Sequence, residues 1–175
     1  MFRYTSMQST LADAAAALAS RLLSFDGPVH VVAHSLGGVV TLETLARNPG
    51  LPPGRVVLLG SPVQGSRAAQ AIGDWAVGAQ ILGALATAEL ARPQSRTWTG
   101  LRELGVIAGS RSAGLGRWFA SLPVPNDGTV AVDETQLPGA TSHIVHDVSH
   151  TGMLFSSAVA ASTVQFLASG SFGQH

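Results

Sequence analysis

The stretch Val29-His30-Val31-Val32-Ala33-His34-Ser35-Leu36-Gly37-Gly38-Val39 holds the key to the architecture. Its first half is an apolar strand, Val29 to Ala33. From Leu36 to Arg47 the apolar residues recur at helical spacing. Ser35 therefore stands at a strand-to-helix corner. A serine on so tight a turn takes a strained backbone and lifts its hydroxyl clear of the sheet. Small neighbours, Ala33 two residues before and Gly37 two after, let the adjoining backbone pass closely. A small-x-Ser-x-Gly pentapeptide is common by chance, and it is the preceding strand and following helix that give this one meaning.

Outward from this corner the chain alternates helix and strand. Thr10 with Asp13 three residues later reads as a capping box with Asp in place of the usual Glu or Gln. The helix it opens runs to about Phe25, where Asp26-Gly27-Pro28 stops it. The turn cluster Asn48 to Gly54 ends the helix after Ser35, and Arg55 to Gly60 is the next strand. Gly65 to about Ala91 reads as one or two alanine-rich helices. Gly105 to Gly109 is a third, wholly apolar strand, Ser121 to Gly128 a loop, Thr141 to Val148 a fourth strand and Gly152 to Ala168 a closing helix. Strands apolar on both faces and separated by helices predict an α/β fold, a mostly parallel sheet covered by helices on both faces. The length, and the lack of an internal repeat or a second domain in the pattern, predict a single domain over residues 1–175.

Composition narrows the function. The 175 residues are 46% apolar and 11% charged, with ten basic and ten acidic residues. Every basic residue is arginine, scattered rather than striped, which argues against nucleic acid as a partner. There is no cysteine, so thiol chemistry and cysteine-ligated zinc are excluded. The most apolar segment, Trp75 to Ala88, falls short of the ~20 residues a membrane span needs. Met1-Phe2-Arg3-Tyr4 does not read as a signal peptide, and a soluble, cytoplasmic protein is expected.

In a parallel sheet functional groups gather beyond the carboxyl ends of the strands. Ser35, Ser61, Asp127 and His150 all fall there. A serine hydroxyl needs a base within hydrogen-bond reach, and the base needs a carboxylate to fix its tautomer. Asp127 in Asn-Asp-Gly also reads as a turn residue, and Asp133 and Asp147 are rival acids. His143, His146 and His150 resemble a metal cluster at first. A strand spacing of three, however, sends His143 and His146 to opposite faces, and no metal is expected. His34 reads as a packed or hydrogen-bonded neighbour of the corner, and Ser61 as a residue that shapes a pocket. The stripe Trp75, Val77, Ile81, Leu82 and Leu85 reads as core packing or as the wall of an apolar pocket.

Four blocks carry a resemblance: Ala33-His34-Ser35-Leu36-Gly37-Gly38; Leu58-Leu59-Gly60-Ser61-Pro62 with Gly65-Ser66; Asn126-Asp127-Gly128-Thr129-Val130; and His150 to Ser156. In this order they look like the small bacterial lipases and esterases of the α/β-hydrolase superfamily, and like lipases similar to GPI-inositol deacylases. Ala33 in place of the first glycine is similar to the minimal, lidless members. The resemblance implies Ser35 as nucleophile, Asp127 as triad acid, His150 as base and the Leu36 N–H as oxyanion donor. Ser61, Met153 and Trp75 are the expected substrate-binding residues. No cofactor is implied. The implied activity is hydrolysis of small-molecule or lipid esters of short to medium acyl length, without stable membrane insertion. The same acyl-enzyme captured by an alcohol would make an acyltransferase, and a hydrolase fold without catalysis would make a binding scaffold.

One departure from the family pattern carries its own expectations. The family's earlier strands and the His-Gly loop that gives the second oxyanion donor have no counterpart before Thr10, so a fold truncated at its amino terminus is expected. Loss of one such donor costs about 10²–10³ in rate. It would also leave Val29 to Ala33 as an exposed sheet edge. Three alternatives stand: Phe2 to Thr5 covers that edge by pairing in parallel with it, with Tyr4, Thr5 or Ser6 as substitute donor; a second copy covers it in a homodimer; or the natural protein starts earlier and has the missing loop.

Overall fold

The computed structural model describes residues 10–67, 95–112 and 123–173. Within them the order is α1 (Leu11–Leu23), β1 (Val31–His34), α2 (Leu36–Arg47), β2 (Val56–Leu59), β3 (Leu104–Gly109), β4 (Ser142–His146) and α3 (Ser157–Ser169). The four strands form one sheet in the order β1-β2-β3-β4, every neighbouring pair parallel. The helices expected between Gly65 and Ala91, Trp75 among them, lie outside the described residues except at their first turn. So do Phe2 to Ser6.

Sheet register explains which residues make the core. Val56 and Leu58 of β2 face one side, packed with Leu42 and Leu45 of α2 and with Leu104 and Val106 of β3. Val57 and Leu59 face the other, packed with Ile107, Met153, and Val159 and Phe166 of α3. All four residues of β2 are buried, as a strand covered on both faces must be. Ridges on α1 and α2 meet through Leu11, Leu18, Leu22, Val39 and Val40. β1 ends the sheet among the described residues, and its Val32 remains 47% exposed.

The element ends differ from the sequence reading by identifiable local bonds. The Thr10 hydroxyl accepts the Asp13 N–H at 3.1 Å while Asp13 accepts the Thr10 N–H at 3.0 Å, so Asp completes the capping box as Glu would. α1 stops at Leu23, and Ser24 folds its hydroxyl back to the Arg21 carbonyl at 2.8 Å. β1 begins at Val31 rather than Val29, because the His30 ring accepts the Arg55 N–H at 3.0 Å across the strand entrance. The closing helix is divided: a 3-10 turn, Gly152–Phe155, precedes Ser156, whose side chain caps α3 through the Val159 N–H. At the far end Arg55 donates to the Leu167 and Ala168 carbonyls, satisfying acceptors that α3 leaves unpaired.

Gly38 is the point where α2 meets the sheet. A Cβ there would lie 2.6 Å from the Ser61 Cβ and closer still to its hydroxyl. Gly38→Ala is therefore expected to destabilise by about 1–3 kcal/mol, with Ser61→Gly in the same chain restoring most of the loss, measured by urea unfolding.

His143 is half-buried on β4. Thr135 gives its hydroxyl proton to the Val132 carbonyl at 2.7 Å, so the His143 Nε2–H donates to Thr135 at 2.9 Å. Burial holds the imidazole below its ordinary range. The unfolded chain then binds the proton more readily, and stability contributed by this group is lost as pH falls through about 6.5. His143→Gln keeps the donor without the titration. Its melting temperature is expected to fall less than the parent's between pH 7 and pH 5.

Candidate active site

Ser35 has φ 56° and ψ −130° and is the only non-glycine residue with positive φ among the described residues. Two backbone constraints, one from the sheet and one from the helix, hold it there. Its N–H donates to the Leu59 carbonyl at 2.9 Å, continuing the β1–β2 ladder past the end of β1. Its own carbonyl accepts the Gly38 N–H at 3.0 Å and starts α2. The chain must turn from strand to helix in one residue, and the serine takes the strain.

The serine hydroxyl lies 3.0 Å from Nε2 of His150, and Nδ1 of His150 lies 2.7 Å from an Asp127 carboxylate oxygen. The carboxylate can only accept from Nδ1–H, so Nε2 is left to accept from the serine hydroxyl. Asp127 is 1% exposed and the His150 side chain 12% exposed. The other Asp127 oxygen accepts the N–H groups of Thr129 at 2.9 Å and Val130 at 2.7 Å. Asp127 is thus the turn residue that Asn-Asp-Gly suggests and also the carboxylate facing the imidazole. Its turn bonds aim the second oxygen. Gly109, ending β3, leaves the space for it, since a Cβ there would lie 2.7 Å from the Asp127 Cβ.

The rival acids point elsewhere. Asp133 is exposed and pairs with Arg67 at 2.9 Å, and Asp147 pairs with Arg111 at 2.7 Å. Each guanidinium holds its partner carboxyl below the usual range. Buried Glu134 accepts the N–H groups of Arg67 and Ala131, pinning the loop that leads from Asp127, and burial pushes its carboxyl up. His143 meets Thr135 and His146 meets Ser162, so the three histidines of the last segment serve three separate neighbourhoods.

Two expected pocket residues have other positions. Ser61 is fully buried, its hydroxyl turned to the Leu59 carbonyl beneath Gly38. Met153 is 2% exposed and packs against Gly60 and Gly109 behind Asp127. Both support the site from below rather than line an open surface. Leu36 is the first residue of α2, and its N–H is one that helix geometry leaves without an intrahelical acceptor. A groove of about 820 Å³ runs past His30, Trp98, Arg102 and Glu103. These residues precede the strands, at the opposite end of the sheet from Ser35, so this groove does not serve the Ser35 hydroxyl.

The sequence reading gave His34 no defined partner. Its Nε2 lies 3.0 Å from the His150 carbonyl oxygen, and the two rings are 4.5 Å apart, tilted by 44°. Burial, then the neighbouring His150, holds the His34 imidazole below its ordinary range.

No protein-family model and no curated protein matches the sequence. Among solved structures the chain is similar to the Bacillus licheniformis lipase BlEst2 in its mature form, with a TM-score of 0.68 and 22% identity over 93% of this chain and 75% of that one. It is also similar to the propeptide form of the same lipase, with a TM-score of 0.63 and 24% identity over 82% of this chain and 37% of that one. A third likeness is to phospholipase PlaB from Legionella pneumophila in complex with thio-NAD, with a TM-score of 0.56 and 16% identity over 77% of this chain and 34% of that one. The parallel sheet, its helices and these likenesses together give the chain an α/β-hydrolase fold.

Proposed function

We propose that this chain is a serine esterase that hydrolyses carboxylic esters through an acyl-enzyme on Ser35. The observation that carries the reading is the continuous relay from the buried Asp127 carboxylate through both nitrogens of His150 to a hydroxyl on a positive-φ corner. The names of the structural neighbours, two forms of a lipase and a phospholipase, support the same class of reaction.

The chemistry follows from the proton positions. As the Ser35 oxygen attacks the ester carbonyl, its proton passes to Nε2 of His150, and Asp127 stabilises the imidazolium. Negative charge moves to the carbonyl oxygen, where the Leu36 N–H at the positive end of α2 donates. The imidazolium then protonates the departing alcohol. Water, deprotonated by His150, releases the acid and restores the serine. Leu154 and Phe155, on the turn after His150, are 50% and 85% exposed and offer apolar surface suited to a short or medium acyl chain. An alcohol in place of water would make the second step an acyl transfer.

With p-nitrophenyl butyrate as substrate, Ser35→Ala is expected to abolish turnover while circular dichroism stays unchanged. Asp127→Asn is expected to lower kcat by about 10⁴-fold, because an amide presents the wrong partner to Nδ1. A folded parent without turnover would favour the scaffold reading over the esterase.

A further inference from the structure

We propose that His34 is a positioning residue for the base: its Nε2–H holds the main-chain carbonyl of His150 and so fixes where the imidazole meets Ser35. The proposal rests on the esterase reading for its kinetic consequence and on geometry alone for the contact itself.

A carbonyl oxygen only accepts, so the 3.0 Å contact requires the proton on Nε2 of His34. The His150 main chain is then gripped on both sides. Its N–H donates to the Asp127 carbonyl at 2.9 Å, and its carbonyl accepts from His34. The first bond ties the base to the residue that carries the acid. The second ties it to the residue next to Ser35. His34 sits on β1, whose place is fixed by its register with Leu59, so the grip on His150 is anchored in the sheet rather than in a loop. Among the described residues, the other hydrogen bond between His150 and the serine corner is the one to the Ser35 hydroxyl, which must break and re-form in each turnover. A misplacement of about 1 Å between reacting groups costs about 10²-fold in rate.

The groups facing His34 also suit a neutral donor. The tilted His150 ring lies 4.5 Å from the His34 ring, and only the Asp127 carboxylate beyond His150 and the bond to the His150 carbonyl pull toward the charged form, less than burial opposes it. A second charge on His34 would oppose the imidazolium that forms on His150, and the partly buried site disfavours it.

The test compares His34→Phe, which keeps a ring without the donor, with His34→Gln, which places an N–H near the position of Nε2. His34→Phe is expected to lower kcat for p-nitrophenyl butyrate about 10- to 100-fold with KM little changed, and His34→Gln to recover most of the loss. A readout independent of turnover is the downfield proton NMR signal of the His150 Nδ1–H held by Asp127. It should be sharp in the parent and in His34→Gln, and broadened by exchange in His34→Phe. Nitrogen NMR of the unsubstituted protein should find His34 as the Nε2–H tautomer. Unchanged kcat and an unchanged signal in folded His34→Phe would overturn the proposal, as would an Nδ1–H tautomer in the parent. If the parent has no esterase activity, the NMR signal and the tautomer still decide the contact, so the two readings fail separately.

Discussion

A single residue has to end β1, begin α2 and present a hydroxyl, and that demand on the Ser35 backbone governs the rest of the site. Holding a non-glycine residue at φ 56° costs on the order of 1–3 kcal/mol. The cost is met by what lies on either side. The ladder bond from the Ser35 N–H to Leu59 fixes the strand, and the packing of Val39, Leu42 and Leu45 fixes the helix. Gly38 lets that helix settle closely onto Ser61. Strain at the corner is thus a consequence of good packing around it.

The imidazole is held by bonds from distant parts of the chain. Asp127 reaches it from the turn at Asn126–Val130, where two N–H groups occupy one carboxylate oxygen so that the other faces Nδ1. His34 reaches its carbonyl from β1. Ser35 and His34, which bond His150, stand at the carboxyl end of β1, where a parallel sheet collects its functional groups. The burial of Asp127 excludes water that would otherwise weaken the pairing.

The strands, the helix after Ser35 and the parallel sheet were legible because each depends on local pattern: a short apolar run, a helical period, a turn cluster. The order of Ser35, Asp127 and His150 was legible through four motif blocks rather than through spacing. What escaped was set by long-range contact. The sequence suggests Ser61 and Met153 as substrate-binding residues, whereas packing buries both beneath the site. The grip of His34 on His150 joins residues 116 apart in the chain, and no local pattern announces it. The break of the closing helix at Ser156 was visible in principle, since a serine followed by a helical run is a cap signal.

Covalent labelling by a fluorophosphonate, located by mass spectrometry of the digested protein, tests the central claim most directly. Such a probe reacts only with a serine whose proton has a base to receive it and whose oxyanion has a donor to meet it. The account predicts one adduct, on Ser35, absent from a folded His150→Ala variant. A folded parent that takes up no probe, or takes it up on another serine, would contradict it.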